Sequence, residues 1–538
     1  MNFLEKVFLS LVAFGFVFIQ VSNAQAPSIT WQKSLGGSLE DGANASQQTT
    51  DGGYIVAGFT HSNDGDVLGI HPSPAGPTQT VDVWVVKLNS LGTIEWQKCL
   101  GGSYTEQALS IQQTTDGGYI VAGYTWSDDG DVSGRHGYTD YWIVKLNFLG
   151  TIEWQKCFGG NMYESPYLIQ QTSDEGYIIA GYATSTSPWG GSNVTGNHGD
   201  QDYWVVKLDS NGSIEWEKCL GGSNYDFAQS VQQTADGGYI VAGTAYSNDY
   251  DVTGNHGGSG DAWIVKLDSS GNIAWQKCLG GSDSDAATSI QQTTDGGYIV
   301  AGFTYSNDGD VSGKHGSSDA WIVKLDLSGN IVWQKCLGGS NVEQAYSIRQ
   351  TTDDGYIVAG WSNSNDGDVS GNHGNGDYWI VKLDSNGNIE WQKCLGGSGA
   401  DDYAYSIQQT TDGGYIVAGT AYSSGCDITG AHGSGDAWVV KLDVVTGIKN
   451  PLYDNGKILV HPNPTSGLFN IMGLNNVADA TVVITNSVGQ IIYKNKLDAS
   501  NASVDLSNHP KGLYSLRISG KDINTGQGVV KTEQIVLQ

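Results

Sequence analysis

Seven tryptophans, Trp31, Trp96, Trp154, Trp216, Trp275, Trp333 and Trp391, are each followed ten residues later by an acid. The acids are Asp41, Glu106, Glu164, Asp226, Asp285, Glu343 and Asp401. Two carboxyls about 5–10 Å apart can cleave a glycosidic bond, and a ring of them can hold a cation or a polar ligand. Like charges gathered in this way are destabilising unless backbone N–H groups or a cation satisfy them. The expectation is that each carboxylate bonds the turn beside it, with a cation or ligand site as the functional alternative.

A second pattern, Asn-Asp-Gly-Asp-Val-Ser-Gly-x-His-Gly, is fullest at Asn307 to Gly316 and Asn365 to Gly374. Its clustered oxygens, Asp308, Asp310, Asp366 and Asp368, suit Ca²⁺, which takes six to eight oxygen ligands. No bidentate Glu follows at the spacing of a helix-loop-helix calcium site, and such Asp side chains equally bond their own loop backbone. Calcium therefore stands as the weaker reading, and no other cofactor is expected. One His per repeat (His136, His198, His256, His315, His373, His432) reads as loop packing.

A third group breaks the repetition with largely aromatic side chains: His61, Trp126, Trp189, Tyr246, Tyr305, Trp361 and Tyr422. Flat apolar faces beside carboxylates are what a sugar-binding surface needs. Further breaks are the His71-Pro72-Ser73-Pro74 insertion and the Pro188-Trp189-Gly190-Gly191 loop. The region holds only Arg135 and Arg349, too few for a sialidase-like carboxylate clamp. It contains no nucleophile elbow, phosphate loop or zinc-ligand spacing.

The elements that position these residues repeat with them. The Trp steps are 65, 58, 62, 59, 58 and 58 residues, the signature of a repeat architecture. In one unit, Ala287 to Thr293, Tyr298 to Thr304, Asp319 to Leu325 and Ile331 to Leu337 read as β-strands a, b, c and d. Four strands per repeat make a propeller blade. The region opens with a lone d strand (Ile29 to Leu35) and closes with an a-b-c set ending at Leu442. That phase predicts an all-β, seven-bladed β-propeller closed by its N-terminal strand, with no open edge. The recurring Trp is expected to pack between blades, and Asp-Gly-Gly to turn strand a into strand b. Cys99, Cys157, Cys219, Cys278, Cys336 and Cys394 fall on outer strands of different blades, too far apart for disulfides, so free thiols are expected.

The chain of 538 residues carries a formal charge of −30 and 76 Gly. Residues 27–448 hold 17 Lys and Arg against 49 Asp and Glu, whereas residues 449–538 hold 8 against 6. Such acidity repels phosphate backbones and excludes a nucleic-acid binder. Residues 1–26, with an apolar run from Val7 to Val21 and Ala-Gln-Ala before Pro27, read as a secretory signal peptide. The mature chain is expected to be exported, monomeric and without a transmembrane helix. Residues 449–456 read as a linker, and 457–538 as a small β-sandwich of short alternating strands.

Two resemblances add to this reading. Asp261 to Asp268, Gly271 and Leu279 to Ser282 resemble bacterial β-propeller repeats, which implies the fold and little about activity. His461 to Gly467, Asn486 to Gln490, Lys511 to Tyr514 and Lys531 to Gln538 resemble the type A C-terminal sorting domain of the type IX secretion system. That resemblance implies a gram-negative cell, engagement of the secretion machinery by residues 457–538, and release or surface attachment. The functional expectation is a non-catalytic binding module for a glycan or surface protein. A secreted polysaccharide-degrading enzyme and a structural adhesin scaffold are the alternatives.

Overall fold

The computed structural model describes residues 26–73, 80–185, 192–444, 459–461, 468–472, 477–486, 489–497, 502–522 and 528–537. The expected signal peptide, the 449–456 linker, Pro74 and Trp189 with its loop lie outside the described residues. Contacts divide the chain into two units, one to Val444 and one from Val445.

The first unit is seven four-stranded antiparallel sheets in chain order, a seven-bladed propeller. In blade 1 the strands are Asp41–Gln48 (a), Tyr54–Thr60 (b), Asp82–Leu88 (c) and Ile94–Leu100 (d). Blade 7 takes a, b and c from Asp402–Gln409, Tyr415–Ala421 and Asp436–Leu442, and its outer strand is Ile29–Leu35. Gln32 pairs with Val440 and Leu35 with Ala437, and Trp438 Nε1 donates to Gln32 Oε1 at 2.7 Å. Strands b and c are apolar on both faces because each is buried between neighbouring blades. In blade 4, all seven residues of Asp261–Leu267 are buried.

The blades interlock through aromatic pairs. Each strand-d Trp meets the first Tyr of strand b in the next blade edge-on, from Trp31–Tyr54 at 5.5 Å to Trp154–Tyr177 at 6.0 Å, a geometry favoured by the ring quadrupoles. Trp84 and its six strand-c equivalents are the largest fully buried side chains.

The a–b turn carries its own ion pair. Asp51 accepts from Thr49 Oγ1 and from Gly53 N, and lies 2.9 Å from the buried ammonium of Lys87. A bulge in every strand a faces a glycine of strand b. A Cβ on Gly302 would sit 1.8 Å from Ala286 O, so close backbone approach admits only Gly there. The bulge residue, Tyr405 in blade 7 and Tyr346 in blade 6, is thereby re-aimed.

The cysteines are free, five of them buried, Cys99 half-buried and Cys426 exposed. Burial pushes the thiols of Cys278 and Cys336 up to about 12, which leaves them unreactive. The second unit packs a three-stranded and a four-stranded antiparallel sheet around Phe469, Ile471, Val482, Ile484 and Leu516. It includes Ala502–Asp505, a strand whose short polar sequence gave no alternating signal.

Candidate functional site

The b–c and d–a connections share one end of the propeller. Six of the seven expected acids begin strand a there, and all six are fully buried. In blade 7 the position belongs to Asp402, which corrects Asp401: the loop is one residue longer, so Gly397 N reaches a carboxylate five residues on instead of four. Each carboxylate is consumed by the scaffold. Asp285 Oδ2 accepts from Gly281 N at 2.7 Å and Ser306 Oγ at 2.8 Å, and Oδ1 accepts from Thr304 Oγ1. Burial raises Glu106, Glu164, Asp226, Asp285, Glu343 and Asp402 above the ordinary carboxylate range, against the lowering effect of these bonds.

A second acid ring went unread in the sequence. Asp82, Asp140, Asp202, Asp261, Asp319, Asp377 and Asp436 begin strand c, buried. Each holds a His of its own b–c loop, for example His136 Nδ1 at 2.8 Å from Asp140 Oδ2 and His256 Nδ1 at 2.6 Å from Asp261 Oδ2. His71 makes the same contact to Asp82 at 2.7 Å, so its proline-rich segment conceals the seventh member of the ring instead of breaking it. The two rings meet at the first Gly of Gly-Gly. A Cβ on Gly36 would lie 2.5 Å from Asp41 Oδ2 and 2.9 Å from Asp436 Oδ1.

The calcium candidates tie the d–a loop down. Asp308 Oδ1 accepts from Ser282 N at 2.8 Å, and Asp366 Oδ1 from Ser340 N at 2.8 Å. Asp310 and Asp368 accept from Gly280 N and Gly338 N at 3.3 and 3.2 Å. Among the described residues no three His, Cys, Asp or Glu side chains are grouped to hold a metal.

These carboxyls set a pH dependence. A carboxyl with a higher pKa folded than unfolded binds its proton preferentially in the folded state, so it adds stability as pH falls. Burial raises Asp202 to about 6 from the ordinary 3.8. His71 and His256 are also raised, the first by its bond to Asp82, the second by Asp261 against a burial penalty. Their stabilisation is present below about 6.5 and fades as pH rises. Conversely Asp51, Asp116 and Asp236 sit at about 2, where the Thr hydroxyl, the Lys ammonium and a turn N–H outweigh burial. That contribution is lost as pH falls below about 4. Thermal melts from pH 8 to pH 2.5 are therefore expected to peak between pH 4 and 6. A midpoint rising steadily to pH 8 would contradict these assignments.

What remains open on this end is aromatic. His61, Trp126, Tyr246, Tyr305 and Tyr422 occupy equivalent positions just after strand b. The backbones of the first four are fixed to the d–a loop, as in Trp126 N to Thr105 O at 2.9 Å, and Tyr422 N donates to Asp402 Oδ1 at 2.9 Å. The last four rings are 37–48% exposed. Trp361 instead lies inside strand b (Tyr356–Ser362), half-buried. It stacks on Tyr403 at 5.7 Å and 20°. From Tyr422 the rings continue inward through Tyr403 (6.4 Å) and Tyr405 (6.1 Å) to Tyr346 (5.3 Å). Trp361 Nε1 is buried without an acceptor among the described residues. Tyr104, Tyr138, Tyr163, Tyr225 and Tyr250 are also exposed here, and Tyr138 stacks on Tyr163 at 5.3 Å. These five vary from blade to blade, so repetition could not mark them.

Residues 459–532 match the family described as secretion system C-terminal sorting domain. The sorting domain directs the protein to the surface or the outside of a gram-negative cell and implies contact with the type IX secretion machinery. No helix among the described residues is long and apolar enough to cross a membrane. No curated protein sequence matches the chain. Similar solved structures include PorZ, a type IX secretion surface component of Porphyromonas gingivalis (11% identity, TM-score 0.39). Others are a puromycin hydrolase (11%, 0.44) and the Pan2 WD40 domain of Neurospora crassa (10%, 0.41). The alignments cover 95%, 84% and 78% of this chain and 61%, 62% and 96% of those chains. The chain thus spans less than two thirds of the length of PorZ and of the hydrolase. At these scores the likeness bears on neither ligand nor activity.

Proposed function

We propose that this exported propeller is a non-catalytic binding module, and that its ligand is a glycan. The reading rests on one observation: at the end where loops converge, the carboxylates of both rings are buried, those of strand a in hydrogen bonds to the scaffold and those of strand c each against a loop His, while the aromatic faces are left open. Tyr422, Tyr403, Tyr405 and Tyr346 form a graded path from rim to interior, with Trp361 stacked beside it. Sugar rings present apolar C–H faces to such side chains and hydroxyls to polar edges. Pre-set rings lose little side-chain freedom on binding.

The test is a panel of polysaccharides offered to the full chain, with binding read by calorimetry and new chain ends by a reducing-sugar assay. Saturable binding to at least one polysaccharide without new ends is expected. Chain ends released catalytically would make the protein an enzyme, and an empty panel would remove the glycan from the proposal.

A further inference from the structure

At the opposite end of the inner strands, beside the a–b turns, the central channel widens into a cavity of about 440 Å³. All seven blades line it. Strand a ends in two glutamines, and these form a belt. Gln47, Gln112, Gln170, Gln232, Gln291 and Gln408 each accept, through the amide oxygen, the N–H of the second Gln in the next blade at 2.6–2.9 Å. A backbone N–H can only donate, so the oxygen must face it and the NH₂ turns away. All six side chains line the cavity, and their NH₂ groups have no protein acceptor among the described residues.

The seventh position of the belt is Arg349. Its Nη1 donates to Ile348 O at 2.7 Å and Ser289 Oγ at 3.2 Å. It forms no ion pair among the described residues, although residues 27–448 are heavily acidic. Burial opposes its charge and lowers its pKa from the ordinary guanidinium value. The side chain is half-buried where it lines the cavity, and an unpaired guanidinium partly withdrawn from water gains when an anion joins it. Nor does the belt need it, since Gln fills the other six places and bonds the neighbouring strand.

We propose that this cavity binds a small organic oxyanion, a carboxylate or phosphate group held by the Arg349 guanidinium within the ring of amide NH₂ donors. Guanidinium presents two parallel N–H bonds to such groups. Cavities of this size hold small molecules. The site is separate from the aromatic end, so its failure leaves the glycan reading untouched.

Citrate and inorganic phosphate are the probes, added to the full chain at constant ionic strength with sodium chloride as the control. Binding to the folded state raises its melting point. Each probe is expected to raise the wild-type midpoint by about 2–5 °C over chloride, and Arg349→Gln is expected to abolish that excess. This variant restores the repeat residue and offers its amide oxygen to Gln409 N. It is therefore expected to melt no lower than wild type in chloride. Arg349→Lys keeps the charge without the fork and should bind citrate at least about tenfold more weakly by calorimetry. Equal shifts in wild type and Arg349→Gln, or no excess over chloride in wild type, would overturn the proposal.

Discussion

A chain lacking Ile29–Leu35 is expected to lose at least 10 °C in melting temperature, or to be recovered only as aggregate. The segment is blade 7's outer strand. Its removal breaks the ladder from Leu35–Ala437 to Trp31–Lys441 and leaves Trp438 Nε1 without Gln32. It also removes Trp31 from Tyr54 and from the Gly92 turn, which packs on the indole, and takes buried Leu35 from the blade 7–blade 1 core. Losing one large core side chain costs about 2–5 kcal/mol. Two such losses plus an opened edge approach the whole stability of a typical domain, about 5–15 kcal/mol. The exposed strand-c edge then becomes a template for aggregation. A rearranged chain distinguishes lost closure from lost sequence. Placing residues 29–35 after Leu442 through a copy of the Asp326–Asn330 turn should restore the midpoint to within a few degrees. Undiminished stability of the simple deletion would mean that the ring does not depend on its N-terminal strand.

The second large effect is expected at Asp285. Replacing it with Ala strands Gly281 N, Thr304 Oγ1 and Ser306 Oγ, all of which donate to its carboxylate in a buried setting. An unsatisfied buried donor costs about 1–3 kcal/mol, and the three relax jointly, so a loss of about 3 kcal/mol in urea unfolding is expected. Asp285→Asn keeps an acceptor of the same shape and should lose less than half as much. Polysaccharide affinity should survive in Asp285→Asn, because the residue is shielded from solvent. A variant as stable as wild type that no longer binds would assign the ring to the ligand.

Much of the fold was legible because the chain carries its own comparison set. The d-first, c-last phase gave the closure, and strands b, c and d of blade 5 fall where their β-branched runs place them. The acid ring was legible in position and its structural role anticipated, except where one extra loop residue moved the place from Asp401 to Asp402. The strand-c aspartates stayed hidden because they head an apolar run and read as strand residues. Their partner His71 was masked by the prolines beside it. Single-copy features were the hardest to read. A bulge turns Tyr346 and Tyr405 toward neighbouring rings, and no linear spacing reports a bulge. Trp361, a binding candidate in the sequence, is held within strand b. Arg349 entered the sequence reading only as a scarce cation, since its meaning depends on the six glutamines that surround it in space.

The most direct measurement is the affinity of the tightest-binding polysaccharide for wild type and for two variants, Trp126→Ala with Tyr422→Ala, and Trp361→Phe. Trp126 and Tyr422 stand in blades 2 and 7 with solvent-exposed rings, so the double variant should fold unchanged and bind at least about tenfold more weakly, about 1.4 kcal/mol. Trp361→Phe shrinks the indole stacked on Tyr403 to a phenyl ring and should weaken binding by a smaller factor. Wild-type affinity in both, with melting curves unchanged, would contradict the assignment of the aromatic mouth as the binding surface.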